Sequence, residues 1–121
     1  MSAAEPPNLP EVEETPEVRR WLEKSGYHAL PKDERRLYVA HVAEFCTYTG
    51  KSPEELVRSC LLVREGLTKI SIKGRRAMQE SIDTFVAERG LVGRDAIVVG
   101  NRIRGFLVHN GIFIQGRASI S

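Results

Sequence analysis

Glycines at positions 26, 50, 90 and 111 each close a stretch of helical periodicity, and a proline or a capping residue opens several of the stretches between them. Punctuation of this kind restricts the chain to a set of short helices. Thr15-Pro16-Glu17 supplies an N-cap, a proline for the first turn and an early acid, and the helix that follows carries Val18, Trp21 and Leu22 before stopping near Ser25-Gly26. Residues 27–32 are a loop closed by Pro31. Asp33 is the predicted cap of a second helix, in which Tyr38, Val42, Phe45 and Cys46 share a face and Gly50 is the stop.

Ser52-Pro53-Glu54-Glu55 is the strongest cap in the chain, pairing a hydroxyl acceptor with a proline and two acids at the positive end of the dipole. It opens a third helix with Leu56, Val57, Cys60, Leu61 and Val63 as buried positions. Residues 66–74 are a connection bearing Ile70 and Ile72. A fourth helix is predicted over 75–89, with Met78, Ile82, Phe85 and Val86 as its inner stripe. The last runs over 95–109. Its Ala96, Val99, Ile103, Phe106 and Leu107 fall on one side at 100° per residue, and Arg94, Val98, Asn101, Arg102 and Gly105 on the other. Gly100 weakens that helix by about 1 kcal/mol relative to alanine. Ile112, Phe113 and Ile114 form a short apolar segment that packs on the bundle or continues elsewhere. The predicted fold is all-α, a compact four- to five-helix bundle.

Length and charge set the organisation. At 121 residues one domain is expected. The net charge of +2 hides an asymmetry, because residues 1–17 hold five acids and no base. What remains carries 18 basic against 11 acidic residues, a net +7. Residues 1–15, with Pro6, Pro7 and Pro10 and few large apolar groups, are therefore expected to be a flexible acidic leader. It is either a solvated tail or an acidic mimic that covers a basic surface until DNA displaces it. Residues 16–114 form the domain and 115–121 a short tail. No apolar run approaches a membrane span, no basic-then-apolar signal opens the chain, and two cysteines are too few for a disulfide framework. A reduced, intracellular location, cytoplasmic or nucleoid-associated, is the expectation.

Reactive groups do not converge. His28, His41 and His109 lie in no metal-ligand spacing, Cys46 and Cys60 fall on core stripes, and no phosphate loop ending in Gly-Lys-Ser/Thr is present. The chain alone is expected to be no enzyme, with no cofactor, no metal and no small-molecule substrate. The basic residues do cluster: Lys32, Arg35 and Arg36 at the start of the second helix, Lys73, Arg75 and Arg76 at the start of the fourth, and Arg94, Arg102 and Arg104 beside Asn101 on the last. Arginine and lysine at helix starts meet phosphates, and arginine and asparagine on an exposed helical face reach base edges. The same residues also suit an ordinary solvated face. On the second helix Arg36, Ala40, Glu44 and Thr47 face outward. The small side chains permit close approach to a duplex or a helix–helix contact, whereas Glu44 repels phosphate.

From Arg35 onward the chain resembles the N-terminal core-binding, or SAM-like, domain of phage-integrase-type tyrosine recombinases. The matching segments are YVAHVAEFCTYTGKSPEEL (residues 38–56), FVAERGL (85–91) and IRGFLVHNGI (103–112), and TGKSPEEL is similar to archaeal-type members. The resemblance implies a helical jaw of a clamp around DNA, with the second and last helices against the major groove. It places Arg35 and Arg36 on one reading helix and Arg94, Val98, Asn101 and Arg102 on the other. Val92-Gly93-Arg94-Asp95 departs from the Ser-Pro-x-Thr usual before the last helix, although Asp95 can still cap. Gly100 stands where leucine is usual. The family's Arg, Lys, His-x-x-Arg and tyrosine series is not found, and Tyr27, Tyr38 and Tyr48 lie in the wrong domain to supply it.

The expectation is a DNA-binding domain, a piece of a recombinase or a stand-alone relative, that holds double-stranded DNA at a recombination half-site. Self-association on the DNA is left open. The alternative is a helical protein–protein module whose basic face meets an acidic partner.

Overall fold

A computed structural model describes residues 9–114. In chain order they form α1 (Leu9–Glu13), α2 (Pro16–Ser25), a short 3-10 turn (Tyr27–Ala29), α3 (Lys32–Thr49), α4 (Pro53–Arg58), β1 (Leu61–Arg64), β2 (Leu67–Ile70), α5 (Ile72–Glu88) and α6 (Gly93–Val108). The molecule is mostly helical, and the hairpin corrects the all-α expectation. Leu61 and Val63, expected inside a buried third helix, are strand residues, and Val63 is 67% exposed.

The hairpin has a local cause. Glu65 and Gly66 both take positive φ, 53° and 78°, and a two-residue turn of that hand matches the twist of the flanking strands. It pairs Leu61 with Ile70, Leu62 with Lys69, Val63 with Thr68 and Arg64 with Leu67. Upstream, α4 begins with the predicted capping box. Ser52 Oγ accepts from the Glu55 amide at 3.1 Å, and Glu55 Oε1 accepts from the Ser52 amide at 2.9 Å. Downstream, Ser71 Oγ accepts from the Gly74 amide at 2.9 Å, so α5 starts at Ile72 rather than at residue 75.

Other helix starts also shift. α3 begins at Lys32 with Asp33 inside its first turn, and α6 begins at Gly93 with Asp95 likewise inside. Thr15 precedes α2 without capping it, and its hydroxyl donates instead to the Val12 carbonyl at 2.7 Å. That bond ties α2 to α1, a helix in a segment expected to be flexible. Val12 is buried, Leu9 packs against the core, and the leader's described end belongs to the domain. Residues 1–8 of the leader and the tail over 115–121 lie outside the described residues.

α6 packs against α2, α3 and α5 and is the axis of the bundle. Ile103, Phe106 and Leu107 meet Trp21, Phe45, Ile82 and Phe85 in one core, with Trp21 set edge-on to Phe106 at 5.9 Å. Ile112 and Ile114 are buried in the same core, so the short apolar segment folds back onto the bundle.

Candidate nucleic-acid interface

Outward positions of α6 follow helical phase. Arg94 and Val98 are exposed, and Asn101 and Arg102 are half-buried beside them. Arg102 is held in place. Its guanidinium lies 3.7 Å from the centroid of the Tyr38 ring, and its Nη1 is 3.1 Å from His41 Nδ1. Tyr38 and His41 are one helical turn apart on α3, so Arg102 marks the seam where the outward faces of α3 and α6 meet.

Glu44, the expected repellent on that face, has a cation of its own. Arg89 Nη1 lies 2.7 Å from its carboxylate, and the same guanidinium sits 5.6 Å from the Phe85 ring. The seam thus gathers Arg89 and Arg102, with Glu44 neutralised locally. Sequence reasoning passed over Tyr38, His41 and Arg89. The i,i+3 spacing of Tyr38 and His41 was the available signal, but which helix covers them is a tertiary fact.

Arg35 and Arg36 are engaged by Glu13 of α1. Arg35 Nε donates to Glu13 Oε2 at 2.7 Å, and Arg36 Nε lies 3.9 Å from Glu13 Oε1, too far for a hydrogen bond. Rotation of 100° per residue sets Arg36 about 160° around α3 from Tyr38 and about 140° from His41. Arg36 and Arg102 therefore sit on opposite flanks of α3, and the expected surface containing both is not formed. Lys32 is exposed at the first residue of α3. A cleft of about 400 Å³ between α1 and α2 is lined by Glu13, Glu14 and Glu23 with Arg19, His28 and Arg35. Its carboxylates make it a poor place for phosphate.

Arg104 is the other correction. It is 3% exposed, its Nη2 lies 2.8 Å from Asp83 and its Nη1 donates to Asn101 Oδ1 at 3.0 Å. Two positions from Arg102, it is rotated about 160° away and points into the α5–α6 contact. It braces the bundle and does not meet solvent. Lys73 and Arg76 are exposed at the start of α5, while Arg75 donates to the Phe113 carbonyl at 3.2 Å. Arg75 and Arg76 line a separate cleft of about 260 Å³ with Ile72, Phe113 and Ile114.

Burial pushes the Cys46 thiol up to about 12 and raises Cys60 as well, so both remain protonated at neutral pH. Among the described residues no group of three or more His, Cys, Asp or Glu side chains could hold a metal ion. No helix there is long and apolar enough to cross a membrane. Comparison of the chain with protein-family models, curated proteins and solved structures finds no match.

Proposed function

We propose that this chain is a DNA-binding domain that lays the outward faces of α3 and α6 against duplex DNA, as in the SAM-like core-binding domain of a tyrosine recombinase. The observation that carries this reading is the fixed guanidinium of Arg102 at the α3–α6 seam. Stacking on Tyr38 and the bond to His41 reduce the side-chain entropy lost when an arginine is ordered on a base edge. Arg94, Val98 and Asn101 precede it along one face, supplying a phosphate contact, an apolar contact and an amide. Arg36 and Arg104 drop out of the site. In this reading the domain positions DNA at a recombination half-site and leaves strand cleavage to residues outside the described chain.

The test is selection of a preferred duplex from a random pool, followed by anisotropy titrations at two salt concentrations. Arg102→Ala should weaken the selected duplex by roughly tenfold or more, the worth of one good base contact, and random duplex by much less. A pool that enriches no sequence, with binding that salt alone abolishes, would sink the proposal.

One observation favours the protein–protein alternative. Val63 and Leu67 on the hairpin, Ile72 at the start of α5 and Phe113 in the cleft beside it are each more than 60% exposed. Register puts Arg64 and Lys69 on the hairpin face that also carries Leu62 and Leu67. Exposed aliphatic groups among cations suit an acidic, partly apolar protein better than a nucleic-acid backbone. Val63→Ser with Leu67→Ser separates the readings, since DNA affinity is then expected to stay unchanged.

A further inference from the structure

We propose that His41 is a proton-operated latch that holds Arg102 on Tyr38 when neutral and releases it when protonated. The latch concerns regulation of the face assigned above, and its effect on DNA rests on that assignment; its own chemistry does not.

Arginine carries only donors and keeps its charge throughout the accessible pH range. An Nη1-to-Nδ1 distance of 3.1 Å is therefore a hydrogen bond only if Nδ1 carries a lone pair, which makes His41 the neutral tautomer with its proton on Nε2. A second proton on the ring removes that acceptor and places an imidazolium against a guanidinium. The surrounding charges deepen the effect. Arg102 reaches His41 from α6 and Arg89 from α5, and both oppose the added charge. Glu44, on the same face of α3, favours it, but its carboxylate is engaged by Arg89 at 2.7 Å. Burial is the largest influence and acts in the same direction as the two arginines, holding His41 below the usual 6.5.

Protonation breaks the bond and adds one positive charge to the seam. Tyr38 alone then holds Arg102, through a cation–π contact at a half-exposed site, and the side chain is free to sample solvent. The face becomes more attractive to any phosphate backbone and less able to present Arg102 in one orientation. Acidification is thus expected to strengthen binding to random duplex while eroding discrimination for the selected one. Stability shifts with the same proton. The unfolded chain binds it near 6.5 and the folded one only at lower pH, so this contribution is fully present above 6.5 and declines as pH falls through that interval.

The experiment is an NMR titration of the histidine rings in the full chain without DNA, following Tyr38 ring protons and Arg102 Nε alongside. The expected result is a His41 midpoint below 6.5, with Tyr38 and Arg102 signals moving at that midpoint. Arg102→Gln should raise the His41 midpoint toward 6.5. An unmoved midpoint in that variant, or Tyr38 and Arg102 signals indifferent to the His41 titration, overturns the latch. His41→Gln keeps an acceptor but cannot titrate, and it should make the ratio of selected to random binding independent of pH. Coupled NMR titrations with a pH-independent ratio in the unsubstituted protein would preserve the latch and remove the α3–α6 seam from the DNA.

Discussion

Gly100 and Arg104 show how one side chain's placement dictates another's absence. A Cβ built on Gly100 would stand 2.8 Å from Arg104 Nη1, inside contact distance. Arg104 has little room to yield, because Asp83 and Asn101 hold its guanidinium and it is almost fully buried. The leucine that the family resemblance expects at position 100 is incompatible with this arginine. The consequence is a sign reversal. Replacing a mid-helix glycine with alanine ordinarily gains about 1 kcal/mol. Gly100→Ala is expected to destabilise the protein by disturbing the Arg104 contacts, yet to stabilise it by about 1 kcal/mol in an Arg104→Met background. Urea denaturation of the four proteins in that cycle decides it, and a gain from Gly100→Ala in both backgrounds would refute the account. Arg104 was misread because charge is normally taken as exposure. Helical phase already set it about 160° from Arg102, so the two could never share one face.

Among the elements, α2, α3, α5 and α6 were legible because their apolar residues recur at helical spacing and Gly26, Gly50 and Gly90 end three of them in the left-handed region. The β1–β2 hairpin was not. Leu61 and Val63 extend the stripe begun by Leu56 and Val57, and Glu65-Gly66 is a weaker turn signal than Asn-Gly. What the periodicity cannot carry is where α5 crosses the end of α4. At Gly74 a Cβ would lie 2.2 Å from the Ser59 carbonyl oxygen and 3.3 Å from Cys60 Cα. Both are backbone atoms, and the Cys60 carbonyl is itself bonded by the Ser71 amide at 2.8 Å, which closes the base of the hairpin. Gly74→Ala is therefore expected to cost roughly 1–3 kcal/mol, as overpacking does, despite alanine's helix preference. A midpoint unchanged or raised in chemical denaturation would show that α5 can shift away from α4 without loss.

For the molecule as a whole, the described part of the acidic N-terminal segment packs on the basic domain through α1. Prolines and glutamates mask Leu9 and Val12, whose i,i+3 spacing is enough to seat α1 on α3, and composition averaged over the segment hides that spacing. Glu13 then lies over Arg35 and Arg36, with Arg35 and Glu13 side chains 22% and 19% exposed. Two accounts of this contact differ in what its loss does. If the segment mimics DNA, Glu13→Gln frees two arginines for phosphate and binding tightens. If the DNA face is the α3–α6 seam, Arg36 lies on the far flank and Arg35 is held by Glu13, and the contact serves to dock α1. The geometry favours docking, so Glu13→Gln is expected to lower stability by about 1 kcal/mol, the scale of a partly screened ion pair, and to leave affinity for the selected duplex within about threefold. Parallel thermal denaturation and anisotropy on that variant measure both quantities. Tenfold tighter binding would return Arg35 and Arg36 to the DNA and make α1 its competitor.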